Sequence, residues 1–184
     1  PLFRKEYRDS GLVPKEKMRE ILMELSEFGL ISGGVSEANG GMGIDFQTLT
    51  MLFEEVCACA TDVSTVVLIN TFGAKMLEKL APKHIQERYL PGPVKGELFC
   101  SMAFSEPDAG SNTLEMTTFA AKEGNGWKLN GAKIWITGVE SASKILVVAR
   151  TTKYDGKAKR THGLSMFLVD TQRKGLTYSP IEKL

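Results

Sequence analysis

The sequence is poor in the side chains that most often bind metals or form disulfides. It has two histidines, His84 and His162, and three cysteines, Cys57, Cys59 and Cys100. An odd number of cysteines without metal-type spacing to a histidine predicts neither a disulfide framework nor a zinc site, and it is typical of a reducing compartment. The two histidines are too far apart in sequence, and too poorly accompanied, to indicate a metal site or a nucleophile and base pair.

The chain also lacks a strong net charge and a long apolar run. Its formal net charge is +1 and its pI is about 8.1, so no basic field argues for nucleic acid or an anionic membrane surface as a partner. No apolar run approaches the ~20 residues of a membrane span, and the opening PLFRKEYRD resembles neither a signal peptide nor an organellar presequence. With 184 residues, 42% hydrophobic and 24% charged, the composition predicts a globular chain with one sizeable core or two small ones.

Helical patterns fill the first half of the sequence. Pro14 at a first helical position precedes an apolar stripe, and Asp45 can cap a second helix with a stripe of its own. The first stripe comprises Met18, Ile21, Leu22, Leu25 and Phe28, and the second comprises Phe46, Leu49, Phe53, Val56, Cys57 and Ala60. These patterns predict two amphipathic helices.

A third helix is predicted after Asp62, which can cap it. Residues 64–69, STVVLI, are β-branched enough to suggest a strand, but no turn signal separates them from the helix-like run that follows. We therefore expect one long buried helix that ends before Pro82, and then a short helix at 83–90. The breaker sequence PGP at 91–93 closes this short helix and marks the predicted domain boundary.

A glycine-rich connection, with six glycines between positions 29 and 43, joins the first two helices. It raises the alternative of a phosphate-binding loop, but no strand clearly leads into it and neither dinucleotide nor Walker spacing is present. We interpret it as an interhelical loop.

From Gly96 onward the apolar pattern changes to a period of two, which is typical of β structure. Turn residues separate candidate strands at 116–122, 126–129, 132–137, 144–150, 164–170 and 176–179. This arrangement predicts a meander-like sheet or a barrel.

The sharpest predicted turn in the β region is Asn130-Gly131, the dipeptide preferred in a two-residue type I′ hairpin. The corresponding register places Trp127, Leu129, Ile134 and Ile136 on the core face. It leaves Trp135 and Thr137 on the opposite face, where a large exposed indole could be covered by a ligand or another domain. Taken alone, Trp135 would be a core or interface residue.

The run AFSEPDAGSN at 103–112 is the second feature of the β region that needs explanation. It leaves a predicted strand at 98–105, breaks at a proline and turns through Gly110, which places Ser105 and Ser111 on backbone that projects from a sheet edge. Such a turn suits a bound ligand, although either serine alone would be an ordinary turn residue.

These runs resemble the signatures of the acyl-CoA dehydrogenase family. AFSEPDAGSN is similar to the family signature in which an apolar residue and Thr or Ser precede Glu-Pro, then Ala-Gly-Ser and usually Asp. LNGAKIWITG is similar to the second flavin run of the same family. SEANGGMGID, APKHIQERYLP and THGLSMFLVD also look like family segments in the same order, so the resemblance covers most of the 184 residues.

The resemblance implies an α+β architecture: an α-helical amino-terminal domain, here 1–95, then a β-barrel domain, here 96–184 and incomplete at its end. The family's carboxy-terminal helical domain is not visible in this sequence. The implied reaction is the FAD-dependent introduction of an α,β double bond into an acyl-CoA thioester, with electrons passed to an electron-transfer flavoprotein. A homotetramer or homodimer is implied, cytoplasmic in a bacterium or in the mitochondrial matrix of a eukaryote.

The resemblance also implies which residues bind FAD. They are Met102, Ala103, Phe104, Ser105, Gly110, Ser111, Trp135, Ile136 and Thr137. Ser111 is in addition the implied contact to the pantetheine arm of acyl-CoA, and Thr137 is the implied donor near N5 and O4 of the flavin. Uncharged hydroxyl donors suit this task, because a flavin that accepts hydride gains electron density over its ring. The sequence departs from the family at Asn112, where Asp is usual, and at Ser105, where Thr is commoner.

The general base of the family is a glutamate carried by the carboxy-terminal domain. Glu106 is held in a turn by Pro107, and the reach of Glu140 depends on a loop that the sequence does not place, so these 184 residues alone are expected to be inactive. The alternatives are an acyl-CoA oxidase or a flavin monooxygenase on the same fold, or a non-catalytic flavoprotein subunit. The basic loop at 151–162 could meet a CoA phosphate, but we interpret it as a solvated hairpin loop.

Overall fold

In the computed structural model, which describes residues 13–154, 157 and 159–181, the chain divides into two compact units. The first contains the described residues up to Ser101 together with Thr137–Ser143, and the second contains Met102–Ile136 and the described residues from Lys144 onward. The predicted domain boundary after Lys95 stays a prediction.

The first unit is helical throughout its described elements. These are α1 (Lys15–Glu27), α2 (Phe46–Cys59), α3 (Thr61–Leu80), α4 (Lys83–Tyr89) and α5 (Pro91–Val94), with a 3₁₀ turn at Glu37–Asn39. The short helix α5 corrects the expectation that the PGP sequence only ends a helix, because proline is tolerated in a first helical turn.

Helix α1 buries most of the stripe predicted for it. Met18, Ile21, Leu22 and Leu25 are buried, whereas Phe28 is 68% exposed. The prediction for Phe28 is wrong because α1 ends at Glu27 and the chain turns through Gly29, whose φ is 75°. Pro14 is the residue before the helix and not its first member.

Helix α2 begins as predicted, since the Asp45 carboxylate accepts a hydrogen bond of 3.0 Å from the backbone N–H of Thr48. Its predicted apolar stripe is covered in part: Leu49 and Ala60 are buried and Phe53 and Val56 pack against the core cluster, whereas Phe46 is 84% exposed. Both Cys57 and Cys59 are exposed.

Helix α3 is the single long helix that the sequence predicted, ending before Pro82. Ala60 occupies its N-cap position, so Asp62 lies in the first turn and does not cap. Val63 and Val67 are almost fully buried in one cluster with residues of α1. Burying a side chain of this size stabilises the fold by roughly 1.5–3 kcal/mol, so tertiary packing outweighs the β preference of the STVVLI run.

The glycine-rich connection is an interhelical loop held by one buried carboxylate. Glu78 of α3 accepts hydrogen bonds from the Ser36 N–H at 2.8 Å and from Asn39 Nδ2 at 3.2 Å, and Lys75 Nζ lies 2.9 Å from its other oxygen. No strand precedes the loop within the described residues, and the loop's anchor is negatively charged. The phosphate-loop alternative therefore has no structural support.

Five short strands form one sheet; four of them lie in the second unit, and the first begins with the last two residues of the first unit before Met102. They are β1 (Cys100–Ala103), β2 (Phe119–Glu123), β3 (Gly126–Asn130), β4 (Lys144–Arg150) and β5 (Leu164–Asp170), in the order β1-β4-β2-β3 with β5 paired to β4. Strands β4 and β5 have the predicted bounds and pair antiparallel along their whole length. The fold class predicted from the sequence, a helical domain followed by a sheet domain, is confirmed.

The predicted hairpin at Asn130-Gly131 is wrong. Strands β2 and β3 pair antiparallel with Glu123 opposite Gly126, so the two-residue turn is Gly124-Asn125. Gly131 serves a different purpose, because a Cβ there would lie 2.7 Å from the Cα of Thr118. The residues after it do not turn back beside β3.

Four further expectations about the β region are corrected. Residues 132–137 and 176–179 form no strand, and the strand expected at 98–105 is limited to β1. Trp127 is 44% exposed and packs edge-on against Phe167 with ring centroids 5.6 Å apart, so it does not lie on a core face. The described core of this unit includes Ala109, Met116 and Val148, with Phe104, Leu164 and Met166 packed against it.

Candidate functional site

The first predicted run leaves strand β1 and closes into a tight turn. Ala103 is buried at the end of β1, and Phe104 and Ser105 are half-buried just beyond it. Two backbone hydrogen bonds of 3.0 and 3.1 Å join Glu106 and Ala109 across Pro107 and Asp108. Because these two hydrogen bonds close the turn, they fix the directions in which the chain enters and leaves it.

The second predicted run approaches the first without forming a strand. The N–H of Ile134 donates a hydrogen bond of 3.0 Å to the carbonyl oxygen of Ser105, and residues 131–136 make no other backbone-to-backbone hydrogen bond with the described part of the chain. Trp135, the next residue, is 66% exposed and has a φ of 62°. A bulky residue in the left-handed region is a true outlier, and such strain is found most often at functional sites.

A buried ion pair ties the two runs together within the second unit. Lys133 Nζ lies 2.9 Å from a Glu106 carboxylate oxygen and donates a second hydrogen bond, also of 2.9 Å, to the carbonyl oxygen of Phe104. The side chains of Lys133 and Glu106 are 10% and 4% exposed. A pair this well buried is stable only when the other polar atoms around it are also satisfied.

The remaining acceptor capacity of Glu106 is taken up by the segment that leads into β2. One carboxylate oxygen accepts from the N–H and the hydroxyl of Thr117 at 2.6 and 2.9 Å, and the other accepts from the Thr118 N–H at 3.0 Å. Burial by itself would raise the pKa of Glu106, but the hydrogen bonds from Thr118 and Thr117 and the Lys133 ammonium outweigh burial and lower the pKa to about 2. A carboxylate held in this way is a structural anchor and a poor proton acceptor.

Two groups at this junction are left available to a ligand. Within the described residues neither the Ser105 hydroxyl nor the Trp135 indole N–H has a hydrogen-bond partner. An unpaired hydroxyl and an exposed indole on two segments joined by the Ile134–Ser105 hydrogen bond suit a planar, uncharged ring with polar edge atoms, since the indole offers a stacking surface and the hydroxyl a donor.

The other predicted residues are distributed as follows. Met102 and Ile136 are half-buried in the second unit, and Gly110 and Ser111 are exposed beyond the turn. A Cβ at Gly110 would meet no atom within 4 Å. The structure thus brings residues 102–105 and 133–136 together, while it shows no contact that joins Ser111 to them.

Thr137 belongs to the first unit, where it begins a turn that continues to Ser141. Its carbonyl oxygen accepts a hydrogen bond of 2.9 Å from the Ser101 hydroxyl. Within the part of the chain that the structure describes, the Thr137 hydroxyl has no partner, so it too can donate to a ligand.

Sequence reasoning missed Lys133 altogether. It lies in the second run, and the carboxylate that it pairs with lies in the first. A signal was present in the sequence: Lys133 is the one charged residue of the second run, and the first run contains two acidic residues, Glu106 and Asp108, that could pair with it.

The far end of β4 carries another buried cation. Arg150 donates to the backbone carbonyl oxygens of Met116 at 3.1 Å and Leu114 at 2.5 Å, and these residues line an open cavity of about 290 Å³. In the basic loop, Arg160 pairs with Glu115 at 3.0 Å. The guanidinium of Arg150 is thus occupied by backbone oxygens, whereas Lys153 also lines the cavity.

The described residues contain neither a metal-binding cluster nor a membrane-spanning helix. No group of three or more His, Cys, Asp or Glu side chains there could hold a metal ion. None of the helices in the described ranges is both long enough and apolar enough to cross a membrane.

Comparison with known proteins gives matches along the whole chain. Residues 3–97 match the family model described as acyl-CoA dehydrogenase, N-terminal domain, and residues 101–184 match that of the acyl-CoA dehydrogenase middle domain. Acyl-CoA dehydrogenase FadE12 of Mycobacterium tuberculosis is 30% identical over 167 residues, which cover 91% of this chain and 42% of the relative. Probable acyl-CoA dehydrogenase FadE25 of the same organism is 30% identical over 185 residues, 99% of this chain and 46% of the relative.

Solved structures agree with these matches. The butyryl-CoA dehydrogenase of Megasphaera elsdenii superimposes with a TM-score of 0.83 at 26% identity, covering 97% of this chain and 46% of that one. The chain thus spans less than half the length of the curated relatives that it matches.

Proposed function

We infer the function from the premise that this chain belongs to the acyl-CoA dehydrogenase family, as its two family matches show. We propose that it provides the flavin-binding part of an FAD-dependent enzyme that introduces an α,β double bond into an acyl-CoA thioester. An electron-transfer flavoprotein is the proposed electron acceptor. The names of the relatives support the reaction class, since they are acyl-CoA dehydrogenases.

The observation that carries the proposal is the junction of the two runs in the second unit. Lys133 and Ile134 of the second run both bond to residues of the first, and the joined segments carry the unpaired Ser105 hydroxyl and the strained, exposed Trp135. When bound, FAD would accept hydride from the substrate. The residues present fit that group, because the junction combines a stacking surface with a neutral hydroxyl donor.

The proposed binding residues have different roles. Ser105 and Thr137 supply neutral donors, which stabilise added electron density in a ring without fixing a full positive charge beside it. Trp135 packs against the ring. Residues Met102, Ala103, Phe104, Gly110 and Ile136 shape the surface around it, and Ser111 contacts the cofactor and the acyl-CoA.

The base that removes the α-proton is not Glu106. Its carboxylate is buried, paired with Lys133 and bonded to Thr117 and Thr118, and its pKa of about 2 makes it a weak base. Glu140 lies in an exposed turn of the first unit, two residues after the end of the second run, and its carboxylate has no contact with that run in the described residues. We place the general base outside the residues of this chain.

A direct test uses the full-length protein. Purified protein should carry FAD, and an acyl-CoA added without oxygen should bleach the oxidised flavin absorbance. Rapid recovery of that absorbance with an electron-transfer flavoprotein, and slow recovery in air, would support a dehydrogenase. Fast recovery in air would indicate an oxidase or monooxygenase, and no bleaching by any acyl-CoA would contradict the proposed reaction.

A further inference from the structure

We propose that Lys133 is a positioning residue: its ammonium group fixes residues 133–135 against the first run and so sets how tightly the site holds its flavin. This inference rests on the proposed function, since it concerns the flavin of that same site. It assigns a role to a side chain that does not itself need to touch the cofactor.

The backbone alone attaches the second run weakly. A β-strand at 132–137 would have supplied a ladder of hydrogen bonds, but residues 131–136 form no strand. The Ile134 to Ser105 bond is the one backbone hydrogen bond that the structure gives residues 131–136. A single bond leaves the segment free to rotate about it.

Lys133 provides the attachments that the backbone lacks. Its ammonium reaches the carbonyl oxygen of Phe104 and the carboxylate of Glu106, both at 2.9 Å. Together with the Ile134 bond, these contacts hold adjacent residues of the second run to three consecutive residues of the first. Three attachment points, unlike one, keep the segment from rotating about the Ile134 hydrogen bond.

The attached segment also holds the next residue, Trp135, in a strained conformation. Trp135 has a φ of 62°, which costs free energy for a tryptophan and persists only where neighbouring contacts enforce it. The nearest such contacts are those of Lys133 and Ile134. Loss of the Lys133 attachments should let Trp135 relax to an ordinary backbone conformation and move its indole.

A simpler role has to be separated from this one, namely that Lys133 only neutralises the buried charge of Glu106. The two roles differ in the bond to Phe104. A counter-ion is dispensable once the carboxylate is replaced by an amide, whereas a positioning residue is still needed to hold the Phe104 carbonyl.

The test therefore compares three variants of the full-length protein: Glu106→Gln, Lys133→Met, and the double variant. Lys133→Met alone leaves a buried, unpaired carboxylate and can fail to fold. The double variant has no unpaired charge, and its amide oxygen can still accept from Thr117 or Thr118. Lys128→Met is the matched control, because Lys128 lies on β3 with a 70% exposed side chain and only a 3.6 Å contact to Glu123.

The measurements are thermal unfolding, the Kd for FAD of the deflavinated protein, and the visible circular dichroism of the bound flavin. Glu106→Gln retains the bond to Phe104 but leaves the buried Lys133 ammonium without a counter-charge, so it should weaken FAD binding, and by less than the double variant does. The folded double variant should show a Kd raised about tenfold or more, equivalent to losing one hydrogen bond made by a charged group, with an altered flavin dichroism. The Lys128→Met protein should match the wild type in all three measurements.

The two levels of failure can be told apart. A double variant that is folded and binds FAD as tightly as the wild type, with the same dichroism, would overturn the positioning role alone. A wild-type protein that binds no FAD would overturn the proposed function and this inference with it.

Discussion

Trp135 is the residue on which the candidate site depends most visibly. Among the described residues it is the single non-glycine with a positive φ, and its indole is largely exposed. Strain of this kind costs on the order of 1–3 kcal/mol, and an exposed indole forgoes the burial that usually stabilises a tryptophan. Both costs are understandable if a bound ring covers the side chain.

We expect saturating FAD to quench the fluorescence of Trp135. The described chain contains a second tryptophan, Trp127, which contacts Phe167 and serves as the internal comparison. A Trp127→Phe protein should keep most of the FAD-dependent quenching, and a Trp135→Phe protein should lose most of it. Equal quenching in both proteins would contradict the placement of the flavin against Trp135.

Thr137 offers a second test at the level of one residue. Its hydroxyl has no partner within the described residues, so Thr137→Val removes a donor with little change in shape. If the hydroxyl donates to the flavin, the variant should retain FAD less well or show a lower reduction potential, at a cost of ~1.5–3 kcal/mol for a hydrogen bond to a charged group. Thr137→Ser, which keeps the hydroxyl, is the control, and an unchanged potential with unchanged retention in the valine variant would refute the role.

Strand β3 illustrates how two glycines at the ends of one element differ in function. Gly126 begins the strand, and a Cβ there would meet its nearest atom at 3.8 Å. Gly131 follows the strand, and a Cβ there would lie 2.4 Å from Thr118 Oγ1 and 2.7 Å from its Cα. The first glycine tolerates a side chain and the second is needed for close packing.

Gly131→Ala should therefore destabilise the protein, and Gly126→Ala should not. Forcing a methyl group into packed space typically costs ~1–3 kcal/mol, because backbone atoms have to move. Chemical denaturation of the two variants and the wild type measures the difference. A Gly131→Ala protein as stable as the Gly126→Ala protein would show that the segment after β3 is less tightly packed than its contacts indicate.

At the scale of the whole molecule, each unit contains one buried carboxylate with a strongly lowered pKa. Burial would raise the pKa of Glu78, but hydrogen bonds from Ser36, together with those from Lys75 and Asn39, outweigh it and lower the value to about 2. Glu106 has the same value in the second unit. Glu78 of α3 holds the glycine-rich loop, whereas Glu106 lies in a turn and holds the segment before β2 and the segment after β3.

These two groups predict the response of stability to acid. Their folded-state pKa of about 2 lies below the ordinary value of 4.5, so between these pH values the unfolded chain binds more protons than the folded one. The free energy of unfolding contributed by the pair is complete above about pH 4.5 and is lost as the pH falls toward 2. Urea denaturation at a series of pH values should show this fall, and Glu106→Gln should make it shallower. An equally steep fall in the variant would exclude Glu106 as a contributor.

The catalytic competence of the whole molecule is a further prediction. We expect a polypeptide of these 184 residues to give no appreciable dehydrogenation with FAD, an acyl-CoA and an artificial electron acceptor. General-base catalysis typically contributes 10²–10⁴-fold, and the Glu106 carboxylate is not available for it. Comparison with the full-length protein checks this, and comparable turnover would direct attention to Glu140, through Glu140→Gln.

Local patterns in the sequence determined the helices, strands β4 and β5, the Asp45 cap and the family, because spacing, capping and signature runs act over a few residues. The long helix α3 could be predicted because its apolar periodicity and lack of turn residues outweigh the β-branched STVVLI run. The absence of a strand at residues 132–137 could not be predicted, because their alternating apolar pattern is also typical of a strand. Only tertiary structure decided that Gly131 packs against Thr118, that the turn lies at Gly124-Asn125, and that Lys133 reaches Glu106 and Phe104. The two Lys133 contacts join residues 27 and 29 positions apart, and their formation depends on the whole sheet being in place.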